Sequence, residues 1–279
     1  VIVGPGYGVD VSVIHIGNGM AMALTSDPLS WIPTLGLQES AWLSVQLMAN
    51  DMATTGFGPL YAQFVLNLPA HVTTGDFEKY WLHMHEFCKK LDISITGGHT
   101  GKFEGQNSTV AGGGTMITLA PAEQILTSKG AQPGDLLIMT KECALLSAAI
   151  LALSFPETIR NVCGKDVQER AAELFYEASA VEAGLAAGQL ARHSLGITAM
   201  HDVTEGGVLG AIYELAQASG CGVWVEGHKI PEGEVQQSVC RYFGINPQYS
   251  VGAGSMIITV HPEYASLLLE HFKIKKIKA

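Results

Sequence analysis

His201-Asp202-Val203-Thr204-Glu205-Gly206-Gly207-Val208-Leu209 stands between two apolar runs of different period. The run before it, Leu195 to Met200, reads as a short buried strand. The run after it places Leu209, Ile212, Leu215 and Ala216 on one helical face. An acidic residue, a hydroxyl and two glycines therefore fall at a strand-to-helix turn. Backbone N–H groups at a helix start point outward and favour an anion, typically a phosphate. The plainer alternative is an ordinary capped helix, with Thr204 as N-cap and the glycines permitting the turn. On this stretch alone both remain open.

The rest of the chain frames that turn. With 279 residues there is core for one large domain or two of ordinary size. Nearly half the residues are apolar and 32 are glycine, which describes a turn-rich folded enzyme rather than a disordered chain. A net charge of -10 leaves no basic face to neutralise phosphates, so nucleic acid is not an expected partner. An acidic protein that holds a polyanion needs a metal ion or backbone amides to do so. The five cysteines (Cys88, Cys143, Cys163, Cys221, Cys240) form no CxxC pair and read as reduced thiols of a cytoplasmic protein. No apolar run is long enough to span a bilayer, and Val1-Ile2-Val3-Gly4-Pro5-Gly6 has neither a signal-peptide pattern nor a methionine, as in a chain entered part-way.

Two halves follow from the patterning. In the first, Val9–Ile16 and Met20–Ser26 read as strands joined through Gly17-Asn18-Gly19, a strong hairpin signal. Gln38–Thr55 reads as a helix, Leu60–Leu68 as a strand, and Thr73-Thr74-Gly75-Asp76 as the cap of a helix reaching about Leu91. Ile93–Thr96 is a short strand running into a glycine loop, Gly97-Gly98-His99-Thr100-Gly101, and Ser108–Leu119 is a further strand. Pro121 to Gly134 is the seam, so the domains are expected at 1–121 and 122–279. The second half is expected to hold the strand Leu136–Thr140, the helix Glu142–Leu153 and one long helical stretch, Asp166–His193. The opening turn follows, then a strand Gly222–Glu226, a helix Glu234–Phe243, the strand Ser255–Val260 and a last helix from Pro262. Strands and helices mix in both halves, which favours two α/β or α+β domains.

Polar residues gather at the ends of these elements, where site residues sit on a rigid scaffold. Asp10 opens the first strand, and Asp27 closes the second behind Thr25 and Ser26. Asn50-Asp51 interrupts an apolar helix, His99-Thr100 ends a strand, and Asp202-Thr204-Glu205 belongs to the opening turn. Aspartates with nearby hydroxyls are hard oxygen ligands, suited to Mg²⁺ carried with nucleotide phosphates. Each also has a structural explanation as a cap or turn residue. There is no Gly-x4-Gly-Lys-Ser/Thr loop and no Gly-x-Ser-x-Gly elbow, and His83 and His85 face apart on a helix.

In order, the chain carries Gly-x-Asp-x-x-Val-Ile from Gly8, Thr25-x-Asp27, and Asn50-Asp51-x-Ala-x-x-Gly-x-x-Pro59. Gly97-Gly98-His99-Thr100 and His201-Asp-Val-Thr-Glu-Gly-Gly207 complete the series. This pattern resembles the aminoimidazole-ribonucleotide-synthase (PurM)-related superfamily, and is most similar to its HypE-like branch, whose HypE members act in hydrogenase maturation. The resemblance implies a two-domain PurM-like fold, its N-terminal domain forming a dimeric barrel and its C-terminal domain α/β. It implies ATP in a cleft completed by the partner subunit, with Mg²⁺ on Asp10, Asp27 and Asp51. Thr25, Ser26, Asn50, Gly97, Gly98, Thr100, Thr204, Gly206 and Gly207 would bind the nucleotide, with Asp202, Glu205 and His99 as catalytic residues. The implied reaction is phosphorylation of a carbonyl or amide oxygen on a small or protein-borne substrate. Two alternatives are a kinase similar to thiamine-monophosphate kinase, whose members have an acidic residue where His99 stands, and an inactive scaffold that binds a maturation partner. HypE carries its substrate on a cysteine in a Pro-Arg-Ile-Cys ending; the last cysteine here is Cys240.

Overall fold

Asn18-Gly19 is the two-residue turn that the sequence announces. In the computed structural model, which describes residues 1–279, Asn18 and Gly19 take φ of 52° and 72°. Both central residues of a tight hairpin turn of this hand need such values. The turn joins β1 (Ser12–Gly17) to β2 (Met20–Ser30) in antiparallel register. β2 runs four residues beyond its expected end, through Asp27 and Pro28. β1 pairs with it only as far as Leu24, so past that point β2 is open on one side and tolerates a proline.

β3 (Tyr61–Pro69), β4 (Ser94–Phe103) and β5 (Val110–Pro121) complete a five-stranded sheet of order β1-β2-β5-β3-β4. Only β3 and β4 are parallel, and the crossover between them is α2 (Thr74–Lys90), capped by the Thr73 hydroxyl accepting from the Asp76 N–H. α1 (Leu37–Ala53) lies on the inner face. There the strand alternation buries Ala62, Phe64, Leu66 and Leu68 and leaves Tyr61 and Val65 exposed on the other side.

The second half builds a three-stranded antiparallel sheet, β6 (Leu136–Met139), β7 (Ile197–Asp202) and β8 (Met256–Val260), with β8 central and wholly buried. Its helices are α3 (Leu145–Ser154), α4 (Pro156–Cys163), α5 (Lys165–Glu173), α6 (Val181–Arg192), α7 (Gly207–Ser219), α8 (Glu234–Tyr242) and α9 (Pro262–Ile274). No helix is long and apolar enough to cross a membrane.

Two expectations fail here. The single helix over Asp166–His193 is broken: α5 ends in a 3₁₀ turn, Leu174–Glu177, and α6 starts only at Val181. Composition favoured helix throughout, but Leu174 and Phe175 pack into a cluster with Trp42 and Leu145, and tertiary burial outweighs propensity. Gly222–Glu226 forms no strand. Gly220 ends α7 in a left-handed turn, and the segment leaves without a partner strand, with Trp224 89% exposed.

The halves share one core. Ala180, Ala187, Leu190, Met200, Ile258 and Phe272 belong to the same buried cluster as Val45, Met48, Phe64 and Met84. α6 approaches the end of α1 through Gly184 and Gly188; a Cβ at either would overlap the Ala53 or Gly56 backbone. Arg192 fastens the seam, donating to the Gly56 carbonyl at 2.9 Å and lying 4.8 Å over the Phe57 ring.

Candidate functional site

Strand alternation sorts the polar residues of β2. Thr25 and Asp27 face α1, whereas Ser26 projects from the opposite, exposed face, 2.8 Å from the Thr115 hydroxyl. Thr25 is buried and donates to Asp51 Oδ2 at 2.7 Å, fixing a carboxylate near the end of α1. Asp10 precedes β1, and Asp202 is the last residue of β7, so both come to the same place from the two halves of the chain.

Their proximity is written in their protonation. Burial pushes Asp10 up to about 8, with His201 opposing and Asp51 and Glu214 adding to the rise. Asp202 is likewise pushed to about 8 by burial and then by the charge of Asp10. Burial, Asp202 and Asp27 hold Asp51 well above the ordinary carboxylate range, against the Thr25 hydrogen bond. Asp27 rises to about 6 through burial and the nearby Glu205. Buried acids whose charge is disfavoured in this way are groups that a cation would stabilise. Asp10 Oδ2 and Asp202 Oδ2 are buried with no hydrogen-bond partner. A hard divalent ion fits such free oxygens.

Two residues given no role from the sequence belong to this cluster. His201 is 2% exposed, and its Nε2 lies 3.3 Å from Asp10 Oδ1 and 3.3 Å from Glu214 Oε2. Burial disfavours the charged ring, but the surrounding carboxylates, Asp10 first, outweigh it and raise His201 to about 10. Glu214 is held below its usual value by His201. An imidazole at the end of an otherwise apolar strand was a visible signal. Glu214, one polar position on α7, carried none.

The β7–α7 turn falls where the sequence places it. Thr204 is not the cap: Gly206 takes that position with φ of 81°, without a side-chain cap bond, and Gly207 follows at 63°. The Thr204 carbonyl accepts from Gly207 N at 3.1 Å. That bond uses the Gly207 amide; the next two, Val208 and Leu209, make no backbone hydrogen bond, beside Thr204 and the exposed Glu205.

Other expected site residues stand apart. Gly97, Gly98, His99 and Thr100 form no loop; they lie within β4 at the sheet edge, exposed. Asp27 pairs with Gly114, Gly114 with Phe64, and Phe64 with Gly98. Three strand spacings, roughly 14 Å, therefore separate this stretch from Asp27 within one chain. Asn50 is wholly buried: its Oδ1 accepts from Gln46 Nε2 (3.0 Å) and Ala180 N (2.8 Å), and its Nδ2 donates to Ala178 O at 3.2 Å. The amide, wholly buried, holds the α5–α6 connector. Elsewhere, Leu137, Met139, Ile212, Trp224 and Leu269 line an apolar groove of about 390 Å³ whose only charged side chains are Glu226 and Lys229.

Comparison with known proteins follows the same division. Residues 8–120 match the family model for AIR synthase related protein, N-terminal domain, and residues 132–279 match its C-terminal domain. A selenide, water dikinase of Methanococcus maripaludis is 29% identical, covering 98% of this chain and 82% of its own. A carbamoyl dehydratase HypE of Rhizobium leguminosarum is 25% identical over 81% of this chain, which spans only 62% of that relative. In fold, the chain is similar to one in a HypE–HypF complex (TM-score 0.76, 23% identity, 95% of this chain and 82% of that one). It is also similar to HypE in complex with ATP (TM-score 0.69, 18% identity, 93% and 74%). Thiamine monophosphate kinase from Aquifex aeolicus shares the fold as well (TM-score 0.68, 17% identity, 91% and 83%).

Proposed function

The chain belongs to the AIR synthase related protein family, and from that premise we propose that it is an ATP- and Mg²⁺-dependent enzyme. Its reaction is phosphorylation of a carbonyl or amide oxygen on a small or protein-borne substrate. The observation that carries this reading is the cluster of Asp10, Asp27, Asp51 and Asp202, each raised first by burial and partly unpartnered, which the start of α7 follows in the chain.

Asp10, Asp27 and Asp51 are the residues to hold Mg²⁺, which would neutralise phosphate charge and orient the γ-phosphoryl group. Thr25 fixes the Asp51 carboxylate, so its free oxygen needs no reorganisation on binding. The first turn of α7, with Thr204, Gly206 and Gly207, supplies backbone donors to phosphate oxygens. Asp202 and Glu205 face the substrate side, where an exposed carboxylate can accept the proton of an attacking oxygen.

His99 and its glycines are too far from Asp27 to serve the same chain's cluster. They reach such a cleft from a second copy. The outer sheet face, with Tyr61, Val65, Val110 and Leu119 exposed, is an apolar surface of the kind a homodimer covers.

Mg²⁺ and ATP together are expected to raise the melting temperature by several degrees, with slow ATP turnover. Asp51→Asn should lower ATP affinity at least a hundredfold. An Asp51→Asn protein that binds MgATP like the wild type overturns the assignment.

A further inference from the structure

We propose that Lys141 is a positioning residue: its ammonium and the Asn50 amide hold the strap Glu177–Ala180 from opposite sides, which fixes Asp202 and Glu205 of the second half relative to Asp51 of the first. This role deepens the reading above and rests on it for the chemistry those carboxylates perform.

The backbone at position 141 suits glycine. Lys141 takes φ of 58° in the turn between β6 and α3, a left-handed conformation that a side chain makes costly. What lysine supplies there is its side chain. Nζ donates to the Glu177 carbonyl at 2.5 Å and to the Ser179 carbonyl at 2.7 Å. No backbone N–H reaches those two carbonyls or the Ala178 carbonyl between them. Asn50 satisfies the third: its Nδ2 donates to Ala178 O at 3.2 Å, and its Oδ1 accepts from Ala180 N at 2.8 Å. Gln46, one turn earlier on α1, donates to Ser179 Oγ at 2.9 Å. Side chains from both halves of the chain therefore do for this strap what a helix or sheet does elsewhere.

Each hold lies next to a site carboxylate. Asn50 directly precedes Asp51 on α1. On the other side, Lys141 follows Thr140, whose N–H donates to Met256 O at 3.0 Å and whose Oγ1 accepts from Met256 N at 3.0 Å. Met256 in turn pairs with Asp202 in the sheet. Gly254 closes this side, with φ of 104° and so near the strap that a Cβ would overlap Ala178. Its neighbour Ser255 accepts from the Val203 amide at 3.1 Å, one residue past Asp202.

Loosening the strap therefore moves Asp202 and Glu205 against Asp51 and leaves Asp10, Asp27 and Asp51 together in the first half. A shift of about 1 Å between groups that must act on one substrate costs roughly a hundredfold in rate, with little change in the affinity of a ligand held by one side.

The test compares wild type with Lys141→Met, which keeps the stem and removes the ammonium, and Lys141→Gly, which also relieves the left-handed backbone. Each is measured well below its own melting temperature, by calorimetry for MgATP and by ATP turnover. Both variants should lose roughly ten- to hundredfold in kcat, with MgATP affinity within about threefold of wild type. Lys141→Gly should melt closer to wild type than Lys141→Met and yet lose as much turnover. Wild-type kcat in either folded variant, a loss falling equally on affinity and kcat, or turnover that follows melting temperature overturns the inference. A crystal structure of a folded variant without nucleotide gives an independent reading. Asp202 should be displaced relative to Asp51 by about 1 Å or more, and unmoved carboxylates overturn the inference. A wild type that neither binds nor hydrolyses MgATP refutes the nucleotide reading alone, and the displacement still decides the role of the strap.

Discussion

Two glycine-bearing stretches, Gly97-Gly98-His99-Thr100-Gly101 and Glu205-Gly206-Gly207, look alike in the sequence and do different things in the fold. The second is a turn, with two consecutive left-handed glycines that open α7. The first is a strand at the edge of a five-stranded sheet. There Gly98 is required because a Cβ would overlap the Phe64 carbonyl of the neighbouring strand. Gly206 serves backbone conformation alone, whereas Gly207, against the Gln248–Ser250 backbone, and Gly98, against Phe64, combine a positive φ with close approach. Composition at a glycine pair therefore does not identify a phosphate loop, and the surroundings decide.

The largest effect that tests this contrast is Gly98→Ala. Pushing β4 off β3 should cost about 3 kcal/mol or more, a melting temperature lower by roughly 6–10 °C. A thermal melt matching the wild type would remove the close-approach explanation.

Metal dependence separates the two stretches next, because the turn lies among buried carboxylates and β4 carries none between Ser94 and Phe103. Asp10 and Asp202 have folded values near 8 and Asp27 near 6, above the unfolded range near 4. The folded state thus binds more protons, so these groups make the metal-free protein less stable as pH rises from about 4 towards 8. His201, raised to about 10, adds stability that is full below its unfolded value near 6.5 and is lost as pH rises through 10. Protons and Mg²⁺ compete for the same oxygens, so the Mg²⁺-induced rise in melting temperature should be several degrees at pH 8 and close to zero at pH 5.5. Fluorimetric melts at the two pH values check this, and equal shifts would place the metal elsewhere.

Gly206→Ala is expected to be milder for the fold and selective for ligand. A left-handed alanine costs about 1–2 kcal/mol, and the distorted first turn of α7 should lower MgATP affinity about tenfold. Calorimetry alongside the melt separates the two effects. Gly97→Ala sits at the small end. Nothing lies within 4 Å of its Cβ position, so stability should change by less than about 0.5 kcal/mol. A large loss of stability there would show that β4 is tighter than its geometry implies.

Several site features were legible because they depend on local chemistry. Asp10, Asp27, Asp51 and Asp202 each broke an apolar pattern or ended an element. Strand alternation puts Ser26 on the opposite face of the sheet. Asn50 shows the limit of adjacency. It precedes Asp51 and looks like part of the same site, but its amide grips Ala178 and Ala180, some 130 residues away. No local pattern encodes that contact, which lies where the helix expected across residues 166–193 is interrupted. His201 was visible at the end of an apolar strand, but its partners Asp10 and Glu214 were not, because they come from distant parts of the chain.

What the sequence determined by itself was the set of elements and their chemistry: the hairpin at Asn18-Gly19, the helix bearing Asp51, and the strand-to-helix turn at His201–Leu209. These follow from side-chain periodicity and from the few residues that tolerate a left-handed backbone, both local properties. The tertiary structure alone decided which groups meet. Asp10 and Asp202 are brought together from opposite halves of the chain, Glu214 and His201 close around them, and β4 is carried to the far edge of the sheet. Such meetings depend on strand order and on helix packing across Gly184 and Gly188. They are long-range consequences of burying one shared core.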